Sequence, residues 1–239
     1  MQPSRPEPRL TIIVAARNEQ DTIEACIRRV LAVFPQDCEL LVVDGGTDRT
    51  GEIVNGLRVE FPAVRYIPNP DDRGKGHAIR VGIEVAQGDV MAQIDADLQF
   101  LPEELPRLLE PIHAGNADVV LGSRFARGSV RHRGSTPLFR TWGNKFASLY
   151  ASVLFGHRMT DVQAGIKAWT REAARQIDLK SDNYSYEVEI PAKALRHRLR
   201  VQDVPITTDA RQGGTTNVNV VFDGIRLLRD ITLFWLGRK

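Results

Sequence analysis

Two carboxylates and an amide alternate with other residues in the segment QIDADLQF, residues 93–100. Asp95, Asp97 and Gln99 follow the apolar residues 90–92, so they come at the end of a predicted buried strand, where an unpaired charge is costly. Their oxygen atoms are hard ligands of the kind that Mg²⁺ and Mn²⁺ take and share with substrate phosphates. The alternative interpretation is that Asp97 or Gln99 caps the helix predicted to start at Pro102.

Two further loops could contact a nucleotide or a phosphate. Asp44 ends another predicted strand, where its carboxylate could accept hydrogen bonds from a ribose or a base. It could instead hold the turn that follows it at Gly45 and Gly46. Residues 73–76, RGKG, place Lys75 between glycines before a predicted helix, and the start of a helix favours anions. A flexible, solvated loop is the alternative for that segment.

Residues 122–145 carry positive charge without any compensating acidic residue. This basic stretch contains no Asp or Glu, and its cations are Arg124, Arg127, Arg131, Arg133, Arg140 and Lys145. The imbalance predicts an anionic partner, either a substrate phosphate or lipid headgroups. Nucleic acid is disfavoured because interleaved aromatic residues and a known binding module are missing. A disordered basic loop is the alternative.

The composition is that of an ordinary globular protein. The chain has 239 residues, of which 42% are hydrophobic, and a net charge of +2. The isolated cysteines Cys26 and Cys38 predict a reducing compartment and no disulfide framework. Residues 1–8 contain three prolines and no apolar core, so we predict a disordered lead-in and not a signal peptide. No apolar run reaches the ~18 residues of a membrane span.

The elements that position these residues alternate between strand and helix. Apolar runs predict strands over residues 10–15, 39–43, 64–67, 89–94 and 117–121, and helical periodicity predicts helices over 22–34, 50–61, 77–86 and 102–113. This order predicts an α/β protein with a mainly parallel central sheet and helices on both faces. Ligands bind at the carboxyl ends of such strands, where the loops 16–19, 44–49 and 95–99 would converge.

After Gly122 the pattern becomes less regular. It predicts an apolar helix over residues 146–155, a segment over 187–197, a strand over 201–205 and a final helix from about Val220. The final helix has an apolar face with basic edges and a late tryptophan. Such a helix could lie in a membrane interface or pack against its own domain.

Taken in order, several motifs resemble one known family. The segments VAARNEQDTI, VVDGGTDRT, DRGKGHAIRVGIEVAQGD, QIDADLQFLPEEL and VLGSRF resemble family 2 glycosyltransferases. Together with DVQAGIKAW and YSYEVEI, they are similar to the dolichol-phosphate mannosyltransferase (polyprenyl-phosphate glycosyltransferase) branch, over roughly residues 9–215. The resemblance implies a GT-A fold with a Rossmann-like nucleotide-binding half for residues 9–215. It also implies a nucleotide-diphospho-sugar donor, a divalent metal (Mg²⁺ or Mn²⁺) and an inverting transfer. Residues 216–239 would form a C-terminal amphipathic helix.

The resemblance also implies roles for individual residues. Those expected to contact the nucleotide-sugar are Ala16, Arg17, Glu19, Asp44, Lys75, Asp95, Ala96, Asp97 and Arg211. Asp97 and Gln99 match metal ligands, and Arg124 and Arg140 match residues that hold the acceptor phosphate or the diphosphate. The catalytic set is therefore Asp95, Asp97, Arg124 and Arg140. Residues of less certain role are Asp161, Gln163, Gly165, Glu187 and Glu189.

The sequence departs from the family pattern at two positions. The loop VVDGGTDRT is one residue shorter than usual, which puts the base contacts in doubt, and the usual lysine after Arg211 is missing from GGTTN. These changes leave open whether the donor is GDP-mannose or UDP-glucose, and we favour GDP-mannose.

The expected reaction is transfer of a sugar, mannose in our interpretation, to a polyprenyl or dolichyl phosphate. An anionic phosphate needs positioning and charge compensation more than a general base. We expect a cytoplasmic protein that associates peripherally with the cytoplasmic face of a membrane, with a small membrane-anchoring subunit as a possible partner. The alternatives are a transferase acting on a non-lipid acceptor, with Asp161 or Glu187 as base, and a non-catalytic nucleotide-sugar-binding subunit.

Overall fold

The computed structural model describes residues 9–35, 38–213 and 220–239. Its strands are β1 (Leu10–Ala16), β2 (Cys38–Asp44), β3 (Val64–Pro68), β4 (Val90–Asp95), β5 (Val119–Ser123), β6 (Val130–Arg131), β7 (Lys167–Thr170), β8 (Val201–Pro205) and β9 (Thr207–Thr208). Its helices are α1 (Ile23–Val33), α2 (Thr50–Glu60), α3 (Lys75–Val85), α4 (Leu105–His113), α5 (Leu138–Phe155), α6 (Arg171–Ile177), α7 (Tyr186–Arg196) and α8 (Val220–Trp235). The lead-in expected over residues 1–8 lies outside the described residues.

The main sheet confirms the predicted α/β class. It has seven strands in the order β3-β2-β1-β4-β7-β5-β8. Strands β3, β2, β1 and β4 are parallel, as are β5 and β8, whereas β7 runs antiparallel to both β4 and β5. A short parallel pair, β6 with β9, lies outside the main sheet. The central strands read as continuous apolar runs because helices cover both of their faces.

Two hydrophobic clusters pack on opposite faces of the sheet. On one face, α1, α2 and α4 bury side chains such as Ile27, Val54 and Leu108. On the other face, α3, α6 and α7 bury Ile79, Ile177 and Ile190, among others. Helices therefore pack on both faces of the sheet, and this packing keeps the carboxyl ends of its strands in place at one edge.

Strand β7 and helix α6 were not predicted. A run of four residues is too short to show a clear periodicity, and β7 inserts antiparallel between β4 and β5, away from its neighbours in sequence. Helix α5 begins at Leu138, eight residues before the predicted start. In its first turns the large apolar residues Phe139 and Trp142 are exposed among basic and polar residues, so they do not mark a face packed on a core.

A third cluster joins α5, α7 and α8. Its buried members include Ala147 and Ala151 from α5, Val188 from α7, and Ile231 and Phe234 from α8. The final helix therefore packs against its own domain, which was one of the two alternatives. Helix α7 belongs to both this cluster and the core beneath the sheet, so it connects α5 and α8 with the sheet.

One face of α5 stays exposed along its whole length. Its members recur three or four residues apart, which is helical spacing, and are Phe139, Trp142, Phe146, Leu149 and Val153, with 56–72% of each residue exposed. We call them the α5 stripe. Within residues 9–35, 38–213 and 220–239, no helix combines the length and hydropathy needed to cross a bilayer.

Strand β7 places a lysine inside the protein. Lys167 is 0% exposed, and its ammonium donates a hydrogen bond to the carbonyl oxygen of Ala164. Burial lowers the pKa of Lys167 to about 8, although the nearby carboxylates of Glu187 and Asp161 act in the opposite direction. Since the unfolded chain leaves this ammonium in water, its protonation must couple to folding.

We predict that Lys167 makes folding more favourable as pH rises. From pH 8 to 10.5 the unfolded state holds the Lys167 proton more tightly than the folded state, so stability increases with pH across that window. The free energy of unfolding of the wild type minus that of Lys167→Met should therefore rise by about 3 kcal/mol. Urea denaturation at several pH values measures this difference, in which other titrating groups largely cancel.

Lys180→Met is the matched control, because the Lys180 side chain is 67% exposed. Its difference from the wild type should change much less over the same pH range. A pH-independent difference for Lys167→Met would contradict a buried, titrating ammonium.

Candidate active site

Strand register brings the three polar loops together. In the pairing of β1 with its neighbours, Ala16 lies beside Asp44 and Ala15 lies beside Asp95. The carboxyl ends of β1, β2 and β4 therefore meet at one edge, as the sequence predicts. Glu19 follows β1 in the same region, and its backbone carbonyl accepts the N–H groups of Thr22 and Ile23 at the start of α1.

Asp44 is buried at the end of β2 and serves its own turn. Its carboxylate accepts the N–H of Gly46 at 2.8 Å and the hydroxyl of Tyr66 at 3.3 Å. Burial raises the pKa of the Asp44 carboxyl, against the effect of those hydrogen bonds. The carboxylate of Asp44 therefore holds the turn that follows β2.

A group of residues around Asp72 was not predicted to belong to this edge. A Cβ atom on Gly45 would lie 2.4 Å from that of Asp72, so the short β2 loop touches this side chain directly. Asp72 also pairs with Arg17 at 3.5 Å and accepts a hydrogen bond from Asn69 at 3.2 Å. The acidic residues of the loop before α3 were visible in the sequence, but nothing there indicated which of them reaches the Gly45 turn.

Lys75 bridges two carboxylates at the centre of the site. Its ammonium lies 2.6 Å from Asp95 Oδ1 and 3.4 Å from Glu187 Oε1. Burial alone would lower the pKa of Lys75, but Asp95, Tyr186 and Glu187 outweigh it and hold the pKa well above its usual value. Lys75 is therefore a permanent cation here, and its position at the first residue of α3 comes from the glycine-flanked loop.

The metal candidates lie in the loop that follows β4. Asp97 is buried; one carboxylate oxygen accepts the N–H of Gln99 at 3.0 Å and the other pairs with Arg211 Nε at 3.0 Å. Burial, and then the charge of Asp95, raise the pKa of Asp97. Ala96 is buried between the two aspartates. A buried carboxylate that is costly to ionise favours a nearby cation, which fits a divalent metal.

Gln99 is oriented by its amide nitrogen, which donates to the carbonyl oxygen of Ser135. The amide oxygen is then the atom that Gln99 could offer to a metal. Among the residues that the structure describes, no three His, Cys, Asp or Glu side chains cluster tightly enough to hold an ion alone. Asp97 and Gln99 would thus supply a partial oxygen set, which is how Mg²⁺ commonly binds when substrate phosphates complete its shell.

Arg124 lies just after β5 in a buried ion pair. Its guanidinium makes a two-pronged contact with Asp161, at 2.6 and 2.9 Å, and reaches the carbonyl oxygen of Gln163 at 3.3 Å. Burial would lower the pKa of Arg124, but Asp161 more than compensates and the pKa is raised. In this arrangement Arg124 holds the 161–165 segment in place, and its charge is already matched.

The 161–165 segment lies in close contact with the carboxylate of Asp95. A Cβ atom on Gly165 would lie 2.3 Å from Asp95 Oδ2, closer than atoms can approach. Only glycine lets this backbone lie against the carboxylate without moving it. The Arg124–Asp161 pair therefore positions the backbone that packs against Asp95.

The two glutamates of α7 have different surroundings. Glu187 contacts Lys75, whereas Glu189 is 0% exposed and accepts the N–H groups of Lys180 at 2.8 Å and Ser181 at 2.7 Å. Glu189 also pairs with Lys193. Glu189 thus fixes the segment before α7, and the structure does not bring it to Lys75.

Arg140 stands apart from this network, in the first turn of α5. Its residue is partly buried, and its Nε atom is buried without a hydrogen-bond partner among the described residues. The guanidinium carbon lies 5.9 Å from the ring centre of Phe139. Arg140 therefore keeps a donor that none of the described residues uses.

Comparison with known proteins identifies a sequence family for the chain. Residues 11–177 match the sequence model of the family described as Glycosyl transferase family 2. The chain is 32% identical over 223 residues to the polyprenol monophosphomannose synthase of Mycolicibacterium smegmatis, covering 90% of this chain and 83% of that protein. It is 31% identical over 226 residues to the low-salt glycan biosynthesis hexosyltransferase Agl6 of Haloferax volcanii. That match covers 93% of this chain but only 52% of the hexosyltransferase.

A solved structure establishes the fold. Glucosyl-3-phosphoglycerate synthase from Mycobacterium tuberculosis, crystallised with Mn²⁺, UDP-glucose and phosphoglyceric acid, superposes with a TM-score of 0.73 at 20% sequence identity. The alignment covers 97% of this chain and 81% of that one. The likeness confirms the GT-A fold that the sequence motifs imply.

We predict that Gly165→Ala strains the centre of the site. The added methyl group would overlap the Asp95 carboxylate, so either the 161–165 backbone or the Asp95–Lys75 pair must move. Overpacking of this kind typically lowers the free energy of unfolding by about 1–3 kcal/mol. Urea denaturation measures the loss.

Gly56→Ala is the control, since no atom lies within 4 Å of the Cβ position in that exposed turn of α2. Alanine there should raise the free energy of unfolding by roughly 0.5–1 kcal/mol, as expected for a helix interior. If both substitutions stabilise the protein, the tight approach at Gly165 is not present in solution.

Proposed function

The chain belongs to glycosyl transferase family 2, and from that membership we propose that it transfers mannose from GDP-mannose to a polyprenyl or dolichyl phosphate with inversion. Its relatives include an enzyme named polyprenol monophosphomannose synthase. The observation that carries the proposal is a single arrangement. A carboxylate-rich donor edge meets a basic stretch that leads into an exposed apolar helix face.

The donor half of the proposal rests on Asp44, Lys75, Asp95 and Asp97. Asp44 would receive the ribose or base, with Ala16, Arg17 and Glu19 lining the same end of β1. Asp97 and Gln99 would hold Mg²⁺ or Mn²⁺, which when bound withdraws charge from the departing diphosphate. Lys75 pairs with both Asp95 and Glu187 and so holds the two carboxylates close together. In this proposal the position of Asp95, the carboxylate nearest to the sugar, is fixed by that contact.

For the acceptor, the proposal relies on cations that hold the lipid phosphate and needs no general base. A lipid phosphate is anionic at neutral pH, so its oxygen can attack the anomeric carbon once it is held in line. The carbon–oxygen bond to the diphosphate breaks as the new bond to the phosphate oxygen forms, with inversion. We assign that phosphate to Arg140, whose Nε has no hydrogen-bond partner among the described residues. Arg124 remains the second cation of the proposal, although direct contact requires its release from Asp161.

The surroundings of two carboxylates help to judge the alternative reaction, which is transfer to a non-lipid acceptor. That reaction needs a general base, for which Asp161 and Glu187 are the candidates. Asp161 is held by Arg124 and Glu187 contacts Lys75, so each carboxylate is already engaged by a cation and would have to leave it to reach an acceptor hydroxyl. This pairing favours the phosphate acceptor. A non-catalytic subunit is disfavoured because Asp95, Asp97 and Gln99 are all present in one loop.

The α5 stripe supports peripheral membrane contact. Lys145, an exposed cation, lies 5.9 Å from the ring centre of Trp142, and Arg131 donates a hydrogen bond to Thr141 in the first turn of α5, so apolar area stands together with positive charge. Both terms strengthen binding to anionic lipid surfaces. We propose that this face meets the cytoplasmic side of a membrane, where the lipid phosphate is available. A small anchoring subunit stays a prediction.

A transfer assay tests the proposed function. We expect sugar transfer to undecaprenyl phosphate from GDP-mannose with Mn²⁺, a much lower rate from UDP-glucose, and none in excess chelator. In the same assay Arg140→Gln should raise the KM for lipid phosphate at least ~10-fold while donor binding stays unchanged, because it removes a charged contact to the acceptor alone.

Arg58→Gln provides the control, since Arg58 is an exposed cation on α2. It should leave both constants unaltered. Faster transfer from UDP-glucose would change the donor assignment, and transfer to a soluble sugar but not to lipid phosphate would refute the acceptor assignment.

We also predict that Trp142→Glu releases the protein from anionic vesicles. Trp142 is 72% exposed in the middle of the α5 stripe, so the change removes apolar area and adds repulsive charge. Affinity for vesicles of phosphatidylglycerol and phosphatidylcholine should fall at least ~10-fold in a co-sedimentation assay. Val59→Glu, at an 88% exposed apolar site on α2, should bind as the wild type does. Equal losses for both variants would argue against a specific membrane face.

A further inference from the structure

The segment after β9 runs along the metal-candidate loop. Phe100 and Thr208 form an isolated antiparallel bridge. The N–H of Asp209 donates to the carbonyl oxygen of Gln99, and the N–H of Gln212 donates to that of Asp97, both at 3.0 Å. These backbone contacts lie on either side of Arg211 in sequence, so they fix where its side chain can reach.

Arg211 points its guanidinium at the carboxylate of Asp97. Its Nε lies 3.0 Å from Asp97 Oδ2, and its Nη2 lies 3.7 Å from Glu19 Oε1. The Asp97 side chain is 8% exposed and that of Arg211 is 34% exposed. The pair is therefore sheltered at the carboxylate and open to solvent at the guanidinium, a geometry in which the arginine can leave more easily than the aspartate.

A carboxylate that is shielded from water is costly to leave unpaired. The Asp97 side chain is 8% exposed, and the guanidinium of Arg211 contacts its carboxylate at 3.0 Å. Lys75 is already shared between Asp95 and Glu187. Arg211 therefore supplies the positive charge that Asp97 requires when no other cation is bound to it.

We propose that Arg211 is a built-in counterion which holds the cation position at Asp97 and must give it up to the divalent metal. The inference rests on the proposed metal site. A metal ion taking Asp97 Oδ2 competes for the oxygen that the guanidinium contacts, and two cations so close together repel each other. Arg211 would then move to the diphosphate of the donor.

This exchange couples the metal to the nucleotide. The metal alone must displace Arg211 without giving it a new partner, so it binds weakly. A nucleoside diphosphate offers the released guanidinium an anion, so metal and nucleotide bind better together, and the coupling is reciprocal. An arginine that only contacted the diphosphate would behave differently, because its removal would leave the affinity for metal alone unchanged.

Binding of Mn²⁺ alone distinguishes these roles, and we measure it from the loss of the free-ion electron paramagnetic resonance signal. Arg211→Gln should bind Mn²⁺ at least ~10-fold more tightly than the wild type in the absence of nucleotide. Addition of GDP or UDP should then improve Mn²⁺ affinity less in the variant than in the wild type. Arg211→Lys, which retains the charge, should stay close to the wild type.

Two further variants control the experiment. Arg175→Gln makes the same charge change at a side chain that is 71% exposed on α6, and should bind Mn²⁺ as the wild type does. The double variant Arg211→Gln with Asp97→Asn should lose the tighter binding, because the gain depends on the freed carboxylate. Circular dichroism melts of each variant confirm that it is folded.

The outcomes separate the two proposals. Equal Mn²⁺ affinity for wild type and Arg211→Gln, or tight binding that survives Asp97→Asn, overturns the counterion role and leaves the proposed transfer intact. If no protein binds Mn²⁺ with or without a nucleoside diphosphate, the counterion role and the metal assignment both fail. The transfer assay then decides the reaction independently.

Discussion

Negative charge buried at the carboxyl end of β4 is the constraint on which the rest of the site depends. Asp95 ends β4 and Asp97 lies in the loop that follows, where the sheet and its helices shield both carboxylates from most of the water, and ionised carboxylates are stable there only beside cations. Lys75 from α3 meets Asp95, and Arg211 from the segment after β9 meets Asp97. Distant parts of the chain are thus drawn to one loop by the need to match its charge.

Pairing between cations and carboxylates continues beyond the loop that follows β4. Glu187 takes the other side of Lys75, Asp161 pairs with Arg124, and Lys167 is buried within the field of Glu187, Asp161 and Asp95. Signs alternate through this network, so no single residue can change charge without affecting its neighbours. Gly165 completes it sterically, because the backbone held by Arg124 lies directly against Asp95.

Helix α7 joins this network to the surface proposed to meet a membrane. Glu187 contacts Lys75, while the next residue, Val188, packs in the cluster shared with α5 and α8. At the start of α7 the hydroxyl of Ser185 donates to the buried carboxylate of Asp230 in α8. The helix that carries the α5 stripe and the helix that carries Glu187 therefore pack together, and this packing connects the surface proposed to meet a membrane with the strand ends.

Local sequence patterns were enough to predict the α/β class and most of the strands and helices up to β5. They also predicted that the loops after β1, β2 and β4 converge. Those features follow from local periodicity and from the rule that parallel strands end at one edge. The sequence also placed Asp44 and Asp95 at the ends of strands and Asp97 and Gln99 in the loop after β4, because each follows an apolar run. Tertiary structure decided which cation meets which carboxylate, that Arg124 is held by Asp161, that Glu189 fixes a loop, and that β7 enters the sheet antiparallel. These features depend on contacts between residues that are far apart in the chain. A local sequence pattern does not show which residue will pair with a buried charge.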